Sequence, residues 1–151
     1  MSEAPAGFAR HTRRSGLTDP WEPIYARQTD QALILALRAA EPHCNSRSFV
    51  HGGLISALAD NAMGLSCRGA LTRLGKDAGM TGLVTVSLVV DFLETAHAGQ
   101  WLAFETDFVR AGGSLCFAQC RVTADDAVCA RAQAHFRVLR THSPSIPAAN
   151  T

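Results

Sequence analysis

The sequence predicts an α+β fold in which an antiparallel sheet of about five strands wraps around one long buried helix. Two observations carry this prediction: one helical segment is apolar on almost every side, and four later segments alternate apolar with polar residues. The chain has 151 residues, enough for one domain with a sizeable core and too few for two. Because the helix and the apolar sheet face are the only large apolar surfaces, each is expected to cover the other.

The segment before the predicted sheet, residues 1–29, is polar and irregular, and we expect it to be a tail. Within it, residues 20–29 can form one short helical or turn segment. Residues 8–14 are basic and contain no acidic residue, as in an organelle transit peptide, but a solvated tail is the better interpretation. The domain is then expected at residues 30–140, and residues 141–151 form a second tail.

The domain begins with residues 31–41, whose pattern fits a helix or a strand, and which we assign to the sheet as a strand. Residues 53–74 are the clearest helix. The first half of this segment has almost no polar position, and a helix of that kind is buried. Gly75 follows in the position of a helix cap.

After the helix, apolar residues recur at every second position, which is typical of antiparallel strands with one buried face. The predicted strands span residues 84–92, 101–109, 114–124 and 128–138. The buried face of the first is predicted to contain Val84, Val86, Leu88, Val90 and Phe92. That of the second is predicted to contain Leu102, Phe104, Thr106 and Phe108. That of the fourth is predicted to begin with Val128.

The charges nearly cancel, with 14 basic and 13 acidic residues and a net charge of +1. This balance argues against a nucleic-acid-binding protein, which usually needs a basic face. No apolar stretch is long enough for a transmembrane helix, and the first residues lack the apolar block of a secretory signal. We therefore expect a cytoplasmic protein with no nucleic-acid or membrane partner.

The five cysteines are odd in number and show neither zinc-ribbon nor redox spacing. The six histidines are scattered, and none is placed to form a metal site on a helix. The simplest interpretation is a reduced protein that uses cysteines as small core residues. The sequence thus predicts no cofactor and no metal.

The first candidate for chemistry is His51-Gly52-Gly53, which leads directly into the predicted helix. The first helical turn has N–H groups without intrahelical partners and carries the positive end of the helix dipole. Such groups can bind an anion or a carbonyl oxygen that becomes negative during a reaction. The alternative is a tight turn in which the glycines only relieve packing.

Asp60 is the second candidate, because a carboxylate in an apolar helix is costly unless it is paired, hydrogen-bonded or exposed to a cleft. It is either a general base or a polar bridge to a neighbouring strand or subunit. Asn45, in the loop before the helix, is either a ligand contact or a turn residue. By strand alternation Thr85 faces away from Leu88, so an exposed strand threonine is its plain interpretation.

The link between the second and third predicted strands is the last candidate. It contains Arg110, Gly112, Gly113 and Ser114. The glycines permit a tight or bulged hairpin, which is the favoured interpretation. The alternative is a phosphate contact that uses the same backbone and the arginine.

Together these residues resemble the signature of the hotdog-fold acyl-CoA thioesterases of the phenylacetic-acid-degradation, or HGG-motif, type. That pattern has an Asn six residues before the His and an Asp nine residues after it, as Asn45, His51 and Asp60 do here. Residues 90–96 and 109–122 resemble two strand motifs of the same family.

The resemblance spans about residues 31–140 and has two departures. Ser48 stands where many relatives have Gly, which puts the shape of the loop in question. Gly113 stands where the family often has a basic residue, which puts a phosphate contact in question.

The resemblance implies an acyl-CoA thioesterase that forms homodimers or homotetramers, with sites shared at the seam between subunits. Gly53 would offer its N–H to the thioester carbonyl, and Asp60 of the partner subunit would be general base or nucleophile. Asn45 would orient water or the carbonyl, Thr85 would hold the water, and His51 would brace the loop.

By the same resemblance, the remaining substrate contacts would come from His51, Gly52 and the link at residues 110–114. Two other hotdog functions are weaker alternatives. A protein that binds acyl-CoA without hydrolysing it would have no need of Asp60, and a dehydratase would need a second His near it. The acyl group is open among arylacetyl, hydroxybenzoyl and short or medium fatty acyl groups.

Overall fold

The computed structural model describes residues 4–141 and contains one long helix packed against a seven-stranded antiparallel sheet. The helix, α1, spans Gly52–Arg73. The strands are β1 (Ala9–Arg10), β2 (Tyr25–Gln28), β3 (Leu33–Arg38), β4 (Met80–Phe92), β5 (Trp101–Ala111), β6 (Leu115–Ala124) and β7 (Ala127–Arg140). The predicted α+β arrangement is therefore confirmed, while the predicted tail at 141–151 lies outside the described residues beyond Thr141.

The strand order in the sheet is β1-β2-β3-β5-β6-β7-β4. β4 follows the helix in the chain, crosses to the far side of the sheet and pairs only with β7. The outer side of β4 is thus an unpaired edge in the described chain. This edge runs alongside the helix that carries the candidate residues.

Helix α1 is buried along most of its length, as its composition predicts. Its buried residues are Leu54, Ile55, Leu58, Ala59, Ala62, Met63, Ser66, Cys67, Ala70 and Leu71. The helix ends in a glycine cap: Gly75 has a φ of 66°, and its N–H donates to the Thr72 carbonyl at 3.1 Å. The Lys76 N–H donates to the Leu71 carbonyl at 2.8 Å, which completes the capping motif.

The one-sided burial predicted for the third strand is present in β6, whose alternate residues Cys116, Ala118, Cys120 and Val122 face inward and are buried. On β7 the inward residues Ala130, Ala132, Ala134, Phe136 and Val138 are buried as well. Three alanines in succession let the helix approach the sheet closely. Val128 is 40% exposed, which corrects its predicted place on this face.

The sheet has two more strands than the sequence predicts, and both come from the segment treated as a tail. A short 3₁₀ turn spans Asp19–Trp21, and β2 then pairs with β3 over Tyr25–Gln28. β1 adds two residues outside β2. Strands of two and four residues are too short to show alternation, so only pairing with β3 reveals them.

Two bulges correct the predicted faces of β4 and β5. The register of β4 on β7 shifts between Thr85 and Ser87, and Val84 and Val86 are 49% and 60% exposed instead of buried. The register of β5 on β6 shifts after Thr106, which leaves Phe108 48% exposed. A bulge inserts one residue and reverses the inward and outward alternation beyond it.

Candidate functional site

The loop before α1 is held in shape by its own polar groups. Asn45 Oδ1 accepts hydrogen bonds from two backbone N–H groups of the loop at 2.9 and 3.2 Å. Ser48 has a φ of 63°, in the left-handed region that favours glycine. The His51 N–H donates to the His43 carbonyl at 2.9 Å and fixes His51 as the helix N-cap.

The available donor at the helix start belongs to Gly52, not to Gly53, the residue whose N–H was expected to be the donor. His51 Nδ1 accepts a hydrogen bond from the Gly53 N–H at 2.8 Å, so that group is already paired. Within residues 4–141, the Gly52 N–H donates to no acceptor. The Phe92 ring packs close to Gly52, since a Cβ on this glycine would lie 3.1 Å from the ring.

The second cluster is Asp60 with Thr85, near the middle of α1 and of β4. The Thr85 hydroxyl donates to Asp60 Oδ1 at 2.7 Å. Asp60 is half-buried and opens onto a cleft, which is how an otherwise apolar helix accommodates a carboxylate. Its other oxygen, Oδ2, has no hydrogen-bond partner in the described part of the chain. The pair therefore presents a free carboxylate oxygen beside an oriented hydroxyl.

Strand alternation assigns Thr85 to the outer face of β4, and the structure corrects this. Thr85 pairs with Phe136 of β7, whose side chain is buried against the core. Val86 has no partner on β7 and is the extra residue of the bulge. Beyond it the alternation resumes one residue later, so Thr85 and Leu88 lie on the same, helix-facing side.

A cleft beside this pair continues as two lobes, each of which includes Asp60 and Thr85. We name the first the arginine lobe, because Arg13 and Arg68 line it; its volume is about 190 Å³. We name the second the leucine lobe, because Leu17 lines it; its volume is about 350 Å³. The carboxylate therefore borders both a basic and a more apolar compartment.

Arg13 and Leu17 belong to the segment predicted to be a tail, so the sequence does not predict them at this cleft. Residues 8–14 do stand out by their basic character, but nothing in their pattern shows that they return to the helix. Only the pairing of β2 with β3 carries the preceding segment over α1.

The helix-start cluster and the Asp60 cluster are separated within one chain. Asp60 follows Gly52 by eight residues, which is about 12 Å along the axis at 1.5 Å per residue. A base and an oxyanion donor must both lie within hydrogen-bond reach of one reacting group. A site that uses both clusters therefore requires a second copy of the chain.

The link between β5 and β6 is a tight turn. The Gly112 N–H donates to the Leu115 carbonyl at 2.9 Å, and a Cβ on Gly112 would lie 2.6 Å from the same oxygen. The Gly113 carbonyl accepts a hydrogen bond from Arg140 at 3.0 Å. The close approach to Leu115 accounts for Gly112, whereas a Cβ on Gly113 would meet no atom within 4 Å. Neither Arg110 nor Ser114 lines the cleft beside Asp60.

The cysteines are not suited to be nucleophiles. Four of the five are buried, and only Cys44 is half-exposed. Burial raises the pKa of the Cys67 and Cys120 thiols to about 12, so neither forms a thiolate near neutral pH.

Within residues 4–141, no three His, Cys, Asp or Glu side chains are grouped to hold a metal ion. In the same part of the chain, no helix has the length and apolar character needed to cross a membrane.

Comparison with known proteins identifies the family of this chain. A family model described as the thioesterase superfamily matches residues 48–130. A Pseudomonas aeruginosa protein named "Putative esterase PA0474" is 36% identical over 139 residues, which cover 91% of this chain and 99% of that protein.

Two solved structures illustrate the structural similarity. A hypothetical thioesterase of Streptococcus pneumoniae TIGR4, solved with coenzyme A, has a TM-score of 0.67 at 18% identity, over 82% of this chain and 94% of that one. The E. coli PaaI protein from the phenylacetic acid degradation operon has a TM-score of 0.63 at 19% identity, over 76% and 82% of the two chains. At these identities the likeness shows the fold, which is the predicted hotdog fold.

Proposed function

The chain belongs to the thioesterase superfamily, and from this premise we propose that it hydrolyses an acyl-CoA thioester to the free acid and CoA. The observation that carries the proposal is the 2.7 Å hydrogen bond from Thr85 to Asp60 at the floor of an open cleft. Coenzyme A in the S. pneumoniae structure supports CoA as the thiol half of the substrate.

Asp60 supplies the chemistry. Because Thr85 occupies Oδ1, the free Oδ2 can take a proton from a water molecule as that water attacks the carbonyl carbon, or can itself attack. The Thr85 oxygen can accept a hydrogen bond from the same water and so fix its position. The CoA thiolate is a good leaving group, so collapse of the tetrahedral intermediate needs no metal.

The carbonyl oxygen is bound at the helix start of the second subunit. The Gly52 N–H is the donor there, because the Gly53 N–H is held by His51. The dipole of α1 adds to this donor, since its positive end lies at the same place. His51 and Asn45 then keep the loop in shape, with Asn45 Nδ2 free to contact the carbonyl or the water.

The second subunit is expected to dock on the edge of β4. This edge is 13 residues long and exposes the apolar side chains of Val84, Val86, Val89 and Phe92. A long apolar edge strand is a template for pairing with another chain. We propose a homodimer in which two β4 strands pair and the two sheets become one.

The dimer proposal also brings the two clusters together. A two-fold axis that pairs identical edges makes the strands antiparallel, and Val86 is the midpoint of β4. Pairing centred there sets the Phe92 end of one subunit beside the Met80 end of its partner. Because Phe92 packs on Gly52, the partner's helix start moves toward the cleft that holds Asp60.

The test is hydrolysis of an acyl-CoA panel, with released thiol measured, by the wild type and by Asp60→Asn. The substitution keeps the shape and removes the basicity, so kcat should fall by about 10²- to 10⁴-fold while ligand affinity changes little. Asp126→Asn is the matched control, because Asp126 is exposed in the β6–β7 turn and has a φ of 69° that Asn tolerates.

Two outcomes would contradict the proposal. Turnover by Asp60→Asn within threefold of the wild type would end the catalytic role of Asp60. Tight binding of acyl-CoA by the wild type with no thiol released from any ester would favour a binding protein over an enzyme.

A further inference from the structure

The arginine lobe carries more positive than negative charge directly beside Asp60. Among the residues that line it, Arg13 and Arg68 face a single carboxylate, that of Asp60. Within residues 4–141, neither guanidinium lies within ion-pair distance of an acidic side chain, whereas Arg14 does so with Asp19. The lobe therefore has two cations that no described protein group neutralises.

The segment that carries Arg13 is held against the molecule by several contacts. Next to it, Arg14 Nε lies 2.7 Å from Asp19 Oδ1. The hydroxyl groups of Ser15 and Thr18 are 2.9 Å apart, and Thr18 is buried. On the other side, the His11 N–H donates to the Ile24 carbonyl at 2.9 Å. The backbone at Arg13 is therefore held beside the lobe, and its exposed side chain lines the lobe from there.

The size of the lobe decides which part of a thioester can reach these arginines. At about 190 Å³ it can hold a short acyl chain beside Asp60. In CoA, the pantetheine arm places more than ten bonds between the thioester sulfur and the nearest phosphate. A chain of that length does not fit in the lobe, which favours the acyl group as the source of an anion bound inside it together with the thioester at Asp60.

We propose that the arginine lobe binds a carboxylate at the far end of the acyl group, so that the substrate is a short dicarboxylic acyl-CoA. This inference rests on the thioesterase function proposed above. Guanidinium groups bind carboxylates in bidentate geometry. They also offset the repulsion between the substrate carboxylate and Asp60, which a neutral pocket would leave uncompensated.

The experiment compares glutaryl-CoA with valeryl-CoA, which has the same chain length and no terminal carboxylate. The variants are Arg13→Gln and Arg68→Gln, with Arg10→Gln as the control because Arg10 lies on β1 and lines neither lobe. We expect the wild type to favour glutaryl-CoA in kcat/KM by about tenfold or more. Each lobe substitution should lower kcat/KM for glutaryl-CoA by about tenfold, mainly by raising KM. It should leave kcat/KM for valeryl-CoA and the oligomer mass unchanged.

The same acyl groups on N-acetylcysteamine, which lacks phosphates, identify the source of the anion. If the arginines bind the acyl carboxylate, their substitution weakens glutaryl thioesters of both thiols. An effect confined to CoA esters, equal for the two acyl groups, would overturn the proposal and assign the arginines to the CoA phosphates. A fall in oligomer mass with equal loss on all esters would overturn it in favour of a subunit contact.

Binding separates this inference from the proposed function. Calorimetric titration of glutaryl-CoA into Asp60→Asn, with and without Arg68→Gln, needs no turnover. If no ester is hydrolysed but Arg68→Gln still weakens glutaryl-CoA binding selectively, the lobe assignment holds and the thioesterase proposal fails. If esters are hydrolysed and Arg68→Gln does not weaken glutaryl-CoA binding, the lobe assignment fails alone.

Discussion

The hydroxyl of Thr85 donates a 2.7 Å hydrogen bond to Asp60 of α1. Simple alternation along β4 would instead place Thr85 on the face that points away from the helix. The bulge at Val86 is the cause, because it shifts the face on which Thr85 lies. One inserted residue thus provides the carboxylate with a neutral donor.

Removal of the hydroxyl should impair the reaction without unfolding the protein. Thr85→Val keeps the branched shape, and we expect kcat to fall by about ten- to a hundredfold, the usual worth of a hydrogen bond to a charged group. Thr85→Ser retains the hydroxyl and should stay within a few-fold of the wild type. Steady-state kinetics and thermal unfolding of both variants would check this, and equal kcat values for Val and Ser would exclude the role.

Removal of one backbone donor would identify the oxyanion group. Gly52 is the first residue of α1, where proline is tolerated, and the preceding His51 has φ −66° and ψ 131°, which proline also permits. Gly52→Pro removes the N–H, and kcat should fall by about 10²- to 10³-fold. Gly52→Ala keeps the N–H and controls for the contact with Phe92.

One outcome would contradict the role of the Gly52 N–H. An equal loss of activity in Gly52→Pro and Gly52→Ala would mean that packing against Phe92 matters and the N–H does not, because both variants add a Cβ and only proline removes the N–H.

Mixed dimers would test whether the site is shared. Asp60→Asn and Gly52→Pro are each expected to be nearly inactive alone. In a mixed dimer, one of the two sites combines the intact Gly52 of one chain with the intact Asp60 of the other. Random co-assembly should therefore restore about a quarter of the wild-type activity. No recovery in a preparation shown by mass spectrometry to contain mixed dimers would place both groups in one chain.

The β4 edge can be tested separately. Val86→Lys places a charge at the centre of the proposed seam, and we expect a 16.1 kDa monomer without activity. Gel filtration with light scattering measures the mass. An active monomer would contradict the shared site.

Acid should destabilise the loop that holds the helix start, through His43. Burial lowers the pKa of His43 below its ordinary 6.5, and a hydrogen bond to the Trp21 backbone opposes this only in part. The unfolded chain therefore binds the proton first, so stability is complete above about pH 6.5 and is lost as the pH falls through the folded pKa. When urea unfolding is measured at several pH values from 7.5 to 5, the midpoint urea concentration should decrease as the pH is lowered.

His43→Asn should flatten this pH dependence, because its side-chain oxygen can replace Nδ1 as the acceptor for the Ala40 N–H, 2.9 Å away in the wild type. The exposed His135 provides the control, and His135→Asn should leave the slope unchanged. An unchanged slope in His43→Asn would assign the acid sensitivity to other groups; the pKa of His11 is also lowered, mainly by burial.

The sequence predicts the features that repeat and misses those that depend on one residue. The all-round apolar character of α1 and the alternation in β6 and β7 are repeated many times, so their burial can be read directly. The bulge at Val86 is a single insertion with no signature of its own, and it inverts the conclusion for Thr85. The side chain of His51 likewise removes Gly53 from the set of free donors, which spacing alone cannot show.

The strand order has a consequence for synthesis on the ribosome. β4 leaves the ribosome soon after α1, yet its only partner in the described chain is β7, which ends about fifty residues later at Arg140. Until β7 emerges, Thr85 has no sheet to hold it against Asp60, and the apolar edge of β4 has no strand on either side. The carboxylate and its hydroxyl donor are therefore assembled last, and a nascent chain that stalls before β7 exposes the apolar strand β4 without the Asp60–Thr85 pair.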